Sequence, residues 1–153
     1  MSTRSNILFK HTVNLGKENP NNGVKIHQVY KHHDGYPMGT GLELIQKILK
    51  FIDEKEVKDV NSSCFFDHWF KYEFTQNWEY EGTEKNLHGD IEYLYEVDFD
   101  NGLKVSCYKR DYKDSNNFNY KTWKKTVLLS AYEMDYLGKK LWNVTDINVS
   151  NSF

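Results

Sequence analysis

A chain of 153 residues fits one domain, large enough to bury about two thirds of its unfolded surface around a single core, and a second domain is not expected. Its formal net charge of −2 excludes the strongly basic balance of a protein that lives on nucleic-acid phosphates, so direct nucleic-acid binding is not expected either. With aromatics at 16%, Tyr, Phe and Trp must supply much of the core that Leu and Val usually supply.

Thr3 to Phe9 reads as a first strand, ending in a polar loop from Asn14 to Gly23 that contains Pro20 and a run of Asn and reads as a long hairpin connection. Val24, Ile26 and Gln28 then alternate with Lys25, His27 and Val29, the period of a second strand that ends at Tyr30. The stretch Tyr30-Lys31-His32-His33-Asp34-Gly35-Tyr36-Pro37 combines potential metal ligands with a turn signal. Gly admits positive φ, and the residue before Pro is pushed out of the α region, so both histidines and the aspartate are presented on a turn. Gly35, Gly39 and Gly41 are explained by turn geometry, since no Lys-Ser or Lys-Thr follows as in a phosphate loop.

Thr40 and Glu43 have capping-box spacing, and Leu42, Ile45, Ile48, Leu49 and Ile52 recur at helical intervals, predicting an amphipathic helix over about Gly41 to Glu54. Ser62 or Ser63 starts a second predicted helix carrying Phe65, Phe66, Trp69, Phe70 and Phe74. Between Asp90 and Phe99 the apolar residues Ile91, Tyr93, Tyr95, Val97 and Phe99 alternate, and Asp100-Asn101-Gly102 supplies a hairpin turn into a return strand from Leu103 to Tyr108. The polar stretch 109–119 is expected to be a loop, 120–136 fits either two strands or a strand and a helix, and a flexible tail is expected from about residue 147. The whole predicts a single α+β domain, an antiparallel sheet with two helices packed on one face.

The start Ser2-Thr3-Arg4-Ser5-Asn6-Ile7, the turn Tyr30 to Pro37 with Gly39 and Gly41, and the later Gly89-Asp90-Ile91-Glu92-Tyr93-Leu94-Tyr95 together resemble a family of small phage and prophage proteins. Members carry Thr-Arg-Ser near the start, a His-Trp-Asp-Gly-Tyr-Pro signature ahead of a helix and a Tyr-x-Tyr strand downstream. Here His33 stands in place of the tryptophan, and the resemblance covers about the first hundred residues. It implies a mobile-element origin. Small acidic single-domain proteins of that origin often act by binding and blocking host defence machinery, including CRISPR-Cas effector nucleases. The expected function is therefore a phage-encoded inhibitor of a host defence protein. The alternative is a small enzyme or nucleotide-binding protein using the His-His-Asp turn with Arg4.

Metal binding is the sharpest chemical expectation. Cys64 and His68 are four apart on the second predicted helix, one turn apart on the side away from Phe65, Phe66, Trp69 and Phe70, as two ligands of a structural zinc can be. His32 and Asp34, with His33 as an alternative ligand, would complete the set from the turn. Arg4 and Asp34 are a candidate ion pair. Nucleophilic catalysis has no support, because no Gly-x-Ser-x-Gly occurs and neither Cys64 nor Cys107 has an identifiable base nearby. Asp90, Glu92, Glu96, Asp98 and Asp100 alternate with aromatics and form a candidate partner-binding face, suited to an arginine-rich channel. Tyr120-Lys121-Thr122-Trp123-Lys124-Lys125 mixes rings and cations as single-strand binders do, although a strand with one solvated face gives the same letters. No apolar run is long enough to cross a membrane and no secretion signal is evident, so the cytoplasm of the host cell is the expected location.

Overall fold

The computed structural model of the protein describes residues 3–13, 16–20, 22–55, 69–70, 78–100, 103–110, 119–134 and 140–145. Strand β1 (Ser5–Val13) pairs antiparallel with β2 (Gly23–Lys31) along its whole length, from Ser5 opposite Lys31 to Val13 opposite Gly23. The short β3 (Glu79–Gly82) lies outside β2, against Gln28 to Tyr30 only, with a bulge between Gln28 and Val29. On the other side of β1 runs β4 (Tyr93–Asp98), parallel to it, with Ile7 opposite Tyr95. Then β5 (Lys104–Lys109), β6 (Lys124–Met134) and β7 (Lys140–Val144) each pair antiparallel with the strand before. The result is one seven-stranded sheet in the order β3-β2-β1-β4-β5-β6-β7.

This corrects the expected architecture. The sheet is mixed rather than antiparallel, because β1 and β4 are joined by a long crossover that lets them run the same way. Among the described residues a single complete helix packs on it, α1 (Leu42–Glu54), rather than two. The second expected helix lies largely outside the described residues, which include only its Trp69 and Phe70. The stretch left open at 120–136 begins with one tight 3₁₀ turn, Tyr120–Thr122, and continues as the single strand β6. The tail from 147 lies outside the described residues.

Both faces of the sheet are covered, which is why Ile7, Leu8 and Phe9 are consecutive apolar residues, each at most 1% exposed. On one face, Ile7, Phe9, Val29, Tyr95 and Val97 pack against Leu44, Ile45, Ile48 and Phe51 of α1 and against Trp69 and Trp78. Phe9 is central to it, with ring centroids 5.3 Å from Trp69, 5.6 Å from Phe70 and 6.3 Å from Trp78. On the other face, Leu8, Tyr30, Leu94 and Tyr108 are covered by Ile91, Tyr120 and Trp123. Arg110 fastens that cover, its guanidinium donating to the carbonyl of Gly89 at 2.8 Å.

Helix α1 is entered through a π-helical turn, Pro37–Gly41, and not through the expected capping box. The Thr40 hydroxyl donates to the Asp34 carbonyl at 2.9 Å, and Glu43 accepts from the buried ammonium of Lys31 at 2.9 Å. Both side chains thus hold the helix to the preceding turn and strand instead of satisfying its own first amides.

Candidate functional site

The turn that joins β2 to α1 separates its residues by role. Asp34 takes a left-handed conformation (φ 56°), which reverses the chain so that the Gly35 amide donates to Thr3 O at 2.9 Å. The Gly35 carbonyl accepts from the buried Tyr95 hydroxyl at 2.7 Å, and the Asp34 carbonyl accepts from the Thr40 amide at 2.8 Å. A Cβ at Gly35 would stand 2.9 Å from the Cβ of Ser5, and one at Gly39 would stand 2.3 Å from the Asp34 carbonyl oxygen, so neither position admits a side chain as built. Burial, followed by the neighbouring Cys107, holds the Tyr95 phenol well above its ordinary range, so it remains a donor. Gly35, Pro37, Thr40 and Gly41 are buried by these contacts, whereas His32, His33, Asp34, Tyr36 and Met38 are exposed. Tyr36 and Met38, at 41% and 52% exposure, are large apolar side chains standing on a fixed backbone.

Beside the turn, Tyr30 organises a polar cluster. Its ring lies parallel to that of His88 at 3.8 Å and edge-on to that of His32 at 4.5 Å. Its hydroxyl donates to both oxygens of Asp90 at 3.1 Å, and Arg4 pairs with the same carboxylate at 3.3 Å. Burial first, then the bond to Asp90, pushes the Tyr30 phenol up to about 12, so at neutral pH it is a donor and no nucleophile. His32 Nε2 meets Glu79 at 2.9 Å, and His88 Nε2 meets Glu81. Glu81 also accepts from Gln28 at 2.8 Å and from Asn6 at 3.2 Å, which ties the edge strand β3 to the two strands inside it. Cys107 is buried, and burial pushes its thiol up to about 12, which leaves no thiolate for chemistry at neutral pH.

No family model, no curated protein and no solved structure matches this chain. What the site can do is therefore read from its own geometry.

His32 and Asp34 both sit on the exposed turn but face different partners: His32 turns to Glu79, while the Asp34 carboxylate accepts from the Tyr36 hydroxyl at 3.1 Å. His33 is exposed between them. Cys64 and His68 lie outside the described residues, and among the described residues no group of three or more His, Cys, Asp or Glu side chains is placed to hold a metal. Arg4 pairs with Asp90 and not with Asp34.

Of the five candidate partner-binding carboxylates, Asp90 is engaged by Arg4 and Tyr30, and Glu96 accepts from Tyr120 at 3.2 Å. Asp98 accepts from the Asp100 amide at 2.9 Å, and Asp100 accepts from the amide and hydroxyl of Thr12 at 3.0 and 2.9 Å. Glu92 is half-buried, its backbone bridging Arg4 and Arg110. Tyr120 and Trp123 are core residues of the second face, so their rings are not platforms for stacked bases. Among the described residues, no helix is long and apolar enough to cross a membrane.

Sequence reasoning missed Glu79, Glu81 and His88. The strand Glu-Tyr-Glu-Gly is too short and polar to show a period, and His88 reaches Tyr30 from 58 positions away.

Proposed function

We propose that the protein is a non-enzymatic inhibitor that binds a host defence protein, with a CRISPR effector nuclease as the first target to test, and that Tyr36 and Met38 are its anchor. The observation that carries this reading is the division of labour in the turn: buried Gly35, Pro37, Thr40 and Gly41 fix the backbone while Tyr36 and Met38 project from it. An aromatic and a methionine presented without freedom of the supporting chain lose little entropy on docking, and such side chains are enriched at the desolvated centres of interfaces. The resemblance to small phage proteins supports the class of partner.

The nucleotide-binding alternative draws on Arg4 and His32 lying near Tyr30. Its difficulty is electrostatic. Asp90 already pairs with Arg4, Glu79 and Glu81 already engage His32 and His88, and these carboxylates would repel a phosphate.

The test is retention of purified effector nucleases on the immobilised full chain, together with interference assays in cells. Wild type should retain a nuclease and suppress interference. A double Tyr36→Ala, Met38→Ala variant should bind at least about tenfold more weakly, a loss of the size expected when central anchors are truncated, with its unfolding midpoint unchanged. Retention of no nuclease together with undiminished interference would sink the reading, and equal inhibition by the double variant would remove the turn from it.

A further inference from the structure

We propose that His11 and His27 form a binding site for a divalent late transition-metal ion such as zinc. This site is separate from the turn and from the residues that the sequence put forward as ligands. His11 lies on β1 and His27 on β2, both on the sheet face that α1 covers, since each is an odd-numbered neighbour of Phe9 and Val29 in the paired register. Their Nε2 atoms are 3.0 Å apart, and the ring planes differ by only 10°.

With one Nε2 carrying the proton, the two nitrogens form an N–H···N hydrogen bond, and the lone pairs on either side of that proton are aimed at a common point. A metal ion can take the place of that proton. Two nitrogens each bound at about 2.0–2.1 Å to one tetrahedral zinc stand about 3.3–3.4 Å apart, so replacing the proton requires the rings to part by a few tenths of an ångström and no rearrangement of the strands. Imidazole nitrogen suits zinc, copper and nickel better than calcium or magnesium, which sets the class of ion.

Three further observations point the same way. The second nitrogen of His27 is already engaged: its Nδ1 meets the Tyr80 hydroxyl at 2.8 Å, the outer-shell contact that fixes which nitrogen a ligating histidine presents. The Phe70 ring lies 6.3 Å from that of His27, and Phe9 stands opposite His27 in the strand pairing, so apolar rings border the pair. Access is from the β3 side, where His27 is half-buried and Tyr80 is 44% exposed, whereas His11 is 4% exposed and forms the inner ligand. The two nitrogens fill two of the four positions of a tetrahedral shell.

The experiment is titration of the chelator-treated full chain with zinc(II), and with cobalt(II) as a spectroscopic stand-in, on wild type and on His11→Gln, His27→Gln and Tyr80→Phe variants. Wild type should bind one ion per chain with a rise in unfolding temperature, and cobalt should give visible ligand-field bands without a sulfur-to-cobalt charge-transfer band. His11→Gln and His27→Gln should each lose the saturable phase. Tyr80→Phe should bind about tenfold more weakly, as loss of an outer-shell partner typically causes. The cobalt spectrum of wild type needs no variant, so a histidine variant that failed to fold would leave the proposal open to refutation. A sulfur-to-cobalt band, or binding unchanged in both histidine variants, would place the ion on other residues and overturn this site. No saturable binding in wild type would leave a proton-bridged histidine pair and overturn it equally.

Discussion

At Gly35 the fold needs both a missing side chain and a donor from far away. The carbonyl there is buried, and the hydroxyl of Tyr95, 60 positions along the chain, donates to it. Removing that hydroxyl strips a buried acceptor of this donor, which costs about 1–3 kcal/mol. The exposed bond from Tyr36 to Asp34 competes with water, and its loss should fall within about 0.5 kcal/mol. Urea unfolding of Tyr95→Phe and Tyr36→Phe therefore separates the two tyrosines of the turn: the first midpoint should drop clearly and the second hardly at all. Equal effects would mean that the turn is not held as described. The turn itself was legible, because Gly and Pro announce it locally. Tyr95 was legible only as one member of an alternating strand, since nothing local records which carbonyl a distant hydroxyl will reach.

Helix α1 is held to the sheet by packing and by the Lys31–Glu43 contact, and the two halves of that contact are not equivalent. The ammonium of Lys31 is 7% exposed and lies 6.0 Å from the Trp78 ring, whereas the carboxylate of Glu43 is 32% exposed. Glu43→Gln leaves a buried cation with a weakened partner, while Lys31→Met leaves a carboxylate that water can reach and fills the space with a side chain of similar length. Glu43→Gln should therefore be the more destabilising, by about 1–3 kcal/mol, below the range for a fully buried pair because Glu43 is partly solvated. Equal midpoints in chemical denaturation would show that the pair is a solvated surface contact.

The helix was legible from its apolar spacing, but of the residues that spacing picked out only Ile45 and Ile48 are fully buried; Leu44 and Phe51 complete the buried face, and Leu42, Leu49 and Ile52 are half-buried at its margin. The two hairpin pairings, β1 with β2 and β4 with β5, were legible too, because each joins strands adjacent in sequence. The role of Glu43 was misread, since the capping-box spacing it shares with Thr40 is also compatible with a lysine on the preceding strand. Strand β3 left no mark at all, being four residues, of which the three with side chains are polar and tied by His32, His27 and His88.

The parallel pairing of β1 with β4 decides the architecture of the whole molecule, and a local pattern has no means of recording it. It places β1 inside the sheet and gives the protein two cores instead of one. Each core holds titratable groups that the fold keeps neutral. On the α1 face burial raises Tyr95 and pushes Cys107 up to about 12, and on the opposite face burial pushes Tyr30 and Tyr120 up to about 12, with Asp90 and Glu96 reinforcing the two phenols. A group whose folded value lies above its unfolded one contributes stability in full below the unfolded value, and loses it as pH rises through the folded value. Ordinary values are 9.0 for the thiol and 10.0 for the phenols, so stability should be flat below 9.0 with respect to these groups and fall steadily from there to about 12. Because the groups are divided between both faces, the loss should be global: urea midpoints should decline together by tyrosine absorbance and by far-ultraviolet circular dichroism. Phenolate formation in the buried tyrosines should coincide with unfolding. If Tyr30 and Tyr120 ionise near 10 in a protein that keeps its fold and its midpoint, the second core is open to solvent, and the sheet does not have two covered faces.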